Sequence, residues 1–367
     1  MDISKIDKNF ATGGFHDEGD MRYYGIPCEP FDLYGVFYEK ETERFVRMPS
    51  EIADKVSEGV SYLNTNTAGG RLRFSTDSEI IKVSVTYADL CEMAHMPLSG
   101  SCGFTLLRET DSGFVHVWTF MPQHNENDKN GYDGSMFVWG EKTCVIYDEK
   151  HDKPMQNYIL FFPLYNGVKS LTVGLDKNAA VAHGKRYKNV KPILYYGSSI
   201  TQGGCASRPD NCYQAIISKR NNIDFINLGF SGNAKAEPII ADYLAGIDCS
   251  VFVCDYDHNA PDPEHLKNTH YALYKTFREK QPTTPIVFIS KPDVEHDFRA
   301  PIRFAIIKET YEKARAAGDK NVYLIDGKTF FDGCDRDACT VDGCHPNDLG
   351  FYKMANVIYG RLKEIIG

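Results

Sequence analysis

The chain has 367 residues, of which 42% are hydrophobic and 25% charged, so it can form two domains that each bury a core. Its net charge of −9 argues against nucleic acid and anionic membranes as partners, because both bind basic surfaces. No run of about 18 apolar residues predicts a transmembrane helix, and the first seven residues lack the apolar segment of a signal peptide. We therefore expect a soluble cytoplasmic protein whose 11 cysteines are reduced.

Residues 1–188 have the pattern of a β-rich domain, in which short apolar and aromatic runs alternate with turn residues. Residues 71–74 and 80–87 alternate at period two around the Asp77-Ser78 turn, which predicts a pair of strands with one buried face. Residues 51–58 predict one or two helical turns. Further strands are predicted at 32–38, 104–107, 114–118, 144–147, 158–162 and 170–175. The expected architecture is a β-sandwich of the jelly-roll type.

The polar segment 185–191 ends before Pro192 and marks the predicted boundary between domains at 1–188 and 189–367. Beyond it, strands alternate with helices, which predicts βαβ units around a parallel sheet. The strands are predicted at 193–196, 225–228, 250–254, 286–290 and 322–325. The helices are predicted at 211–220, 237–244, 263–280, 301–317 and 348–366. In such a sheet, sites lie at the carboxyl ends of the strands.

Four polar blocks follow these strands. The first, Gly197-Ser198-Ser199-Ile200, is a small-residue turn that can lift a hydroxyl to the rim of the sheet, although such a turn can also merely reverse the chain. The second and third are Asn227-Leu228-Gly229-Phe230-Ser231-Gly232-Asn233 and Asp255-Tyr256-Asp257-His258-Asn259-Ala260. The fourth, Asp342-Gly343-Cys344-His345-Pro346, can supply a base and its orienting carboxylate from one loop. Acyl transfer at a serine needs these groups together with oxyanion donors.

In this order, the four blocks resemble those of the SGNH (GDSL-type) hydrolases, over roughly residues 193–366. The resemblance implies a flavodoxin-like three-layer α/β/α catalytic domain. In the first half, Pro30-Phe31-Asp32-Leu33-Tyr34 is similar to the Gly-x-Asp-Leu-Tyr signature of a β-rich domain that precedes certain bacterial SGNH esterases, with Pro30 in place of Gly. In such relatives, which include carbohydrate acetyl esterases, the β-domain packs against the catalytic domain.

The resemblance also implies roles for individual residues. Ser199 matches the nucleophile, His345 the base and Asp342 the acid that orients the base. The oxyanion hole would combine the backbone N–H of Ser199 with Gly232 and Asn259. The third block departs from the family's G-x-N-D pattern, because Asn259 is preceded by Asp and His and followed by Ala.

Other residues near these blocks keep two interpretations. Ser198 replaces the Asp of the family's first block, yet it can still cap a helix N-terminus. His258 is a second base or substrate contact, or else a hydrogen-bonded loop histidine. Arg208 steers a polar substrate or is solvated. The strand aromatics form a sugar platform or fill the core: Trp118, Trp139 and Phe137.

No spacing of cysteine or histidine matches a metal site. Cys334, Cys339 and Cys344 recur every five residues without a C-x-x-C pair, and the stretches around His95 and His124 contain no ligand spacing. We therefore expect neither a metal nor an organic cofactor.

The sequence thus predicts a carboxylic ester hydrolase for short acyl esters, with O-acetyl groups on a carbohydrate as the expected substrate. Its partner would be a small-molecule or oligosaccharide ester, with no nucleic acid and no membrane; homo-oligomerisation stays open. A lipase, a thioesterase or an acyltransferase would use the same residues. From another class, a carbohydrate-binding protein on an inactive esterase scaffold is the remaining alternative.

Overall fold

Two large antiparallel sheets and two smaller strand pairs make up the described N-terminal part of the chain. The computed structural model describes residues 21–88, 90–124, 132–133, 137–139, 154–292, 295, 297–333 and 335–366, so the strand predicted at 144–147 lies outside the described residues, as does Cys334. The strands of this part are β1 (Met21–Ile26), β2 (Asp32–Tyr34), β3 (Phe37–Glu39), β4 (Arg44–Val46), β5 (Arg71–Thr76), β6 (Ile81–Tyr87), β7 (Phe104–Thr110), β8 (Gly113–Phe120), β9 (Gln123–His124), β10 (Tyr132–Asp133), β11 (Phe137–Trp139), β12 (Gln156–Phe161), β13 (Val168–Asp176) and β14 (Val181–His183).

The two main sheets share one apolar core. One sheet has the strand order β1-β13-β6-β11, and the other has the order β14-β5-β12-β7-β8, with β2 also paired to β5. Side chains from both sheets meet between them, among them Leu72 and Phe74 from β5, and Val83 from β6. This arrangement matches the predicted β-rich domain. Three short helices lie outside the sheets: α1 (Ser50–Val56), α2 (Glu58–Asn64) and α3 (Leu98–Ser101).

The predicted pairing of β5 with β6 is wrong. β5 pairs with β2, β12 and β14, whereas β6 pairs with β11 and β13 in the opposite sheet. All six residues of β5 are buried, including Arg71 and Arg73. The arginine face lies against the C-terminal domain, where the two guanidinium groups donate to Asp224 and Asn222. The alternation along β5 therefore separates two buried faces rather than a core face from a solvated one.

From residue 189 onward, a parallel sheet is covered by helices, as the alternation of elements predicts. Its strands are β15 (Asn189–Gly197), β16 (Ile223–Gly229), β17 (Val251–Asp255), β18 (Ile286–Ile289) and β19 (Val322–Ile325). The helices are α4 (Ser199–Gln202), α5 (Tyr213–Asn221), α6 (Pro238–Gly246), α7 (Pro263–Lys280), α8 (Ala300–Ala316) and α9 (Asp348–Ile366). Short 3₁₀ turns occur at Pro209–Asn211, Asp257–Asn259 and Gly327–Thr329.

The order of strands in this sheet determines which loops meet. The order is β16-β15-β17-β18-β19, the doubly wound arrangement whose crevice lies beside the first strand. Gly197 at the end of β15 is in register with Gly229 of β16 and with Asp255 of β17. The first three polar blocks therefore leave the same end of three adjacent strands.

The N-terminal part covers the open edge of this sheet. β16 is the edge strand among the described residues, and its outward carbonyl groups receive hydrogen bonds from two buried arginines. Arg71 donates to Phe225 O at 2.9 Å, and Arg47 donates to Asn227 O at 3.2 Å and to Gly229 O at 2.6 Å. The edge that would otherwise be open to another strand is thereby capped.

Apolar packing also crosses the junction between the two parts. One cluster joins Leu107, Ile159 and Leu164 of the first part to Ile193 and Tyr195 of the second. A second cluster likewise contains residues of both parts. Apolar packing of this kind makes the two parts mutually dependent for burial.

Within the described ranges, no helix combines the length and the apolar character that a membrane crossing requires.

Candidate active site

The first polar block forms a tight turn from β15 into α4. Ser198 is fully buried, and its Oγ caps the helix by accepting a hydrogen bond from Ile200 N at 3.2 Å. Its backbone N donates to Asp255 O of the neighbouring strand at 3.2 Å. Ser199 is the first residue of α4, so its own N–H precedes the intrahelical hydrogen-bond ladder. Of the two adjacent serines, Ser198 supports the turn and Ser199 presents its hydroxyl to His345.

A chain of two hydrogen bonds runs from Ser199 through His345 to Asp342. Ser199 Oγ lies 2.9 Å from His345 Nε2, and His345 Nδ1 lies 2.7 Å from Asp342 Oδ2. The other carboxylate oxygen, Asp342 Oδ1, accepts from the backbone N of His345 at 2.7 Å and from that of Cys344 at 3.0 Å. These bonds fix the imidazole with Nδ1 toward the carboxylate and Nε2 toward the hydroxyl. This is the geometry that a general base for a serine requires.

The electrostatics of Asp342 suit an ionised carboxylate. Partial burial raises its pKa, but the hydrogen bonds from His345 and the charge interaction with it outweigh this, together with the bond from Cys344. The pKa of Asp342 consequently lies below its ordinary value. The group therefore stays negatively charged at neutral pH, where it favours the imidazole tautomer with a proton on Nδ1.

Gly232 and Asn259 lie in the loops that follow β16 and β17, on either side of the serine turn. Gly232 has φ of 69°, a left-handed conformation that favours glycine, and no atom lies within 4 Å of an added Cβ. Asn259 Oδ1 accepts from Ala234 N at 3.4 Å, which links the two loops. With its carbonyl oxygen turned toward that amide, Asn259 retains its NH₂ group as a donor.

Two side chains that sequence reasoning missed support the serine turn from beneath. Tyr165, from the N-terminal domain, donates its hydroxyl to Ser199 O at 3.1 Å. Gln202 is fully buried; its Nε2 donates to Asn66 Oδ1 at 3.0 Å, and its Oε1 accepts from Ser231 N at 3.0 Å. One glutamine thus connects the N-terminal domain to the loop that carries Gly232.

A third missed residue, His95, lies at the open side of the site. It belongs to the N-terminal domain, is exposed, and places its ring centroid 5.7 Å from that of His345. A ring nitrogen of His95 is also within 4.8 Å of ligand atoms of Asp342 and His345. No local sequence signal could have identified Tyr165 or His95, because only the packing of the two domains brings them to the serine. Gln202 lies in the same short helix as Ser199.

The structure shows the surroundings of two residues that kept two interpretations, Arg208 and Trp118. Arg208 pairs with Asp210, with 3.3 Å between Nε and Oδ1, so its charge is engaged within its own loop. Trp118 is partly buried against the core of the sandwich. The backbones of Phe137 and Trp139 lie in β11, but their side chains are outside the described set.

Family models match both parts of the chain. Residues 190–363 match the GDSL-like lipase/acylhydrolase family, and residues 21–181 match GxDLY, the N-terminus of SGNH-hydrolase-type esterases. No functionally curated protein matches the sequence.

Solved structures with the same fold cover most of the chain. A candidate GDSL-like lipase from Bacteroides ovatus has 28% identity and a TM-score of 0.79, over 95% of this chain and 98% of that one. Salicylyl-acyltransferase SsfX3 from a tetracycline biosynthetic pathway has 16% identity and a TM-score of 0.74, over 94% and 98%. A family two carbohydrate esterase from Clostridium thermocellum, in complex with cellohexaose, has 13% identity and a TM-score of 0.56, over 81% and 92%.

Proposed function

We propose that this chain, a member of the GDSL-like lipase/acylhydrolase family with the N-terminal domain of SGNH-type esterases, cleaves short acyl esters. The proposed substrate class is O-acetyl groups on a carbohydrate. The hydrogen-bonded chain Ser199–His345–Asp342 carries this proposal. The substrate class is supported by structural neighbours that are carbohydrate esterases, including an acetyl xylan esterase from Butyrivibrio proteoclasticus. Residues 189–367 would form the catalytic domain, and residues 1–188 the accessory domain.

In the proposed mechanism, Ser199 Oγ attacks the ester carbonyl while His345 Nε2 takes its proton. Asp342 holds the Nδ1 proton and stabilises the imidazolium. The N–H groups of Ser199 and Gly232 and the NH₂ group of Asn259 would bind the oxyanion of the tetrahedral intermediate. The intermediate collapses when His345 returns the proton to the leaving alcohol. Water then attacks the acyl-enzyme through the same base, which releases the carboxylic acid and regenerates Ser199.

The two adjacent serines provide a matched test. Ser199→Ala should abolish release of p-nitrophenol from p-nitrophenyl acetate and leave the circular dichroism spectrum unchanged. Ser198→Ala removes only a helix cap, which costs about 1 kcal/mol, and should retain most turnover. Turnover that survives in Ser199→Ala but disappears in Ser198→Ala would refute the assignment of the nucleophile.

Acyl transfer is a second candidate, because the salicylyl-acyltransferase neighbour has a TM-score of 0.74. Both reactions would form the same acyl-enzyme and differ in whether water or another acceptor removes the acyl group. A series of p-nitrophenyl esters from acetate to octanoate would separate a short-chain esterase from a lipase or thioesterase. Product analysis with added sugar acceptors would detect transfer. Labelling of Ser199 by a fluorophosphonate would argue against a purely carbohydrate-binding protein.

A further inference from the structure

Three side chains at the carboxyl end of β17 form a buried group of metal-ligating residue types. Asp255, Asp257 and His258 each place one ligand atom within 4.8 Å of the others. The two aspartates are each 1% exposed, and the side chain of His258 is 11% exposed. All three belong to the third polar block, next to Asn259.

Four polar atoms of this group form no hydrogen bond. They are Asp255 Oδ1, Asp257 Oδ1 and both ring nitrogens of His258, which are all buried. His258 Nδ1 and Asp257 Oδ1 lie 3.6 Å apart, beyond hydrogen-bond distance. Asp255 Oδ2 accepts only a 3.3 Å bond from Thr201 Oγ1, and Asp257 Oδ2 a 3.2 Å bond from Lys291 N. Buried carboxylates with so few donors are unfavourable unless a cation compensates them.

The nearby basic side chains donate no hydrogen bond to these carboxylates in the described structure. Arg303 donates to the backbone carbonyls of Asp257 and Ala260, not to a carboxylate of the group. The ammonium of Lys291 lies 3.8 Å from Asp297.

A second group with metal-ligating residue types is less suited to an ion. It consists of His95, Asp342 and His345, which are at least partly exposed. Both ring nitrogens of His345 already form hydrogen bonds, to Asp342 and to Ser199. An ion at that position would have to displace one of these bonds, whereas in the β17 group one oxygen of each aspartate and both ring nitrogens of His258 form no hydrogen bond.

We infer that Asp255, Asp257 and His258 bind one divalent transition-metal ion, with zinc as the probe. Two carboxylate oxygens and one imidazole nitrogen form a donor set typical of such ions. The ion would neutralise the buried carboxylates and fix the turn that carries Asn259. Its role is structural, so the inference concerns the stability of the fold and does not depend on the proposed esterase activity.

The test uses the full-length protein, unfolded with chelator and refolded with or without zinc. Metal content per chain after gel filtration and the thermal midpoint are measured for the wild type, His258→Gln and His95→Gln. We expect about one zinc per chain and a raised midpoint in the wild type and in His95→Gln, with both effects lost in His258→Gln. If His258→Gln does not refold, Asp257→Asn replaces it.

Three results would overturn the inference. The first is a wild type that retains no zinc after gel filtration. The second is zinc that binds only in excess and leaves the midpoint unchanged. The third is zinc that persists in His258→Gln but is lost in His95→Gln, which would locate the ion at the active-site group instead.

Discussion

The two halves of the molecule contribute to the serine turn in different ways. The C-terminal domain supplies the side chains proposed to react, each in a loop at the end of a strand or just before α9. The N-terminal domain supplies groups that hold those loops, such as the hydroxyl of Tyr165 and the guanidinium of Arg47. Groups proposed to react can be found in short sequence motifs, whereas their supports depend on how two separate domains pack.

The largest effect should follow from removing the N-terminal domain. Residues 189–367 expressed alone would expose the edge of β16 and the apolar surface around Tyr195. We expect an aggregated or loosely packed protein without esterase activity, measured by size-exclusion chromatography and binding of a hydrophobic dye. A monomeric, active fragment would show that residues 189–367 fold and react without the N-terminal domain, and would contradict the supporting role of that domain.

The next largest effect should come from Arg71→Met. Arg71 is fully buried and pairs with Asp224, whose pKa is raised by burial despite that arginine. Loss of the guanidinium leaves the partly buried carboxylate of Asp224 with the backbone N of Phe225 as its donor and removes the arginine donor from the carbonyl of Phe225. This should cost about 3–5 kcal/mol in urea unfolding. Lys280→Met, which breaks an exposed pair with Asp242, is the control and should have little effect. Equal effects in both variants would contradict the structural role of the buried pair.

A moderate effect on turnover is expected for Tyr165→Phe. The variant loses the hydrogen bond to Ser199 O, which is worth about 0.5–1.5 kcal/mol. If the bond holds the serine in position for reaction, kcat should fall by up to about tenfold while KM changes little. Tyr274→Phe removes a hydroxyl that bonds Asp319, away from the serine turn, and serves as the control. A fall in KM and kcat together would point to a different role.

The smallest effect is expected for His95→Ala. Because His95 is exposed beside His345, it can contact the alcohol part of a substrate without being part of the hydrogen-bonded chain. We expect KM to rise by about two- to fivefold and kcat to stay nearly constant, since exposed polar contacts contribute about 0.2–1 kcal/mol. A loss of kcat as large as that of His345→Ala would assign His95 to the reaction itself.

The sequence was most informative where local pattern and structure coincide. The bounds of β19, α7 and α9 agree with their predicted ranges, because each has a clear apolar period and strong end signals, such as Asp262 before Pro263 in α7. The α/β class and the family were also predictable, since the four blocks follow one another at strand ends. The roles of Ser199, His345 and Asp342 stay predictions, now with a geometry that permits them.

Pattern alone was insufficient where two buried surfaces alternate. Period two along β5 indicates two different faces but not what each face touches, so the predictions of one buried face and of pairing with β6 are wrong. Tyr165 and His95 are distant from the motifs in the chain and lie near them only after the domains pack. The short helix α4 was missed because four residues give too little periodicity to recognise.

The capped edge of β16 has a consequence for the order in which the chain is synthesised. The capping arginines, Arg47 and Arg71, precede β16 by more than a hundred residues, so the domain that holds them leaves the ribosome first. When β16 is synthesised, the domain that caps its edge has already left the ribosome, so β16 need not remain an unpaired strand in the cell. A circular permutation that places the N-terminal domain last would reverse this order, and we expect it to lower the yield of soluble protein even though every contact of the native fold is preserved.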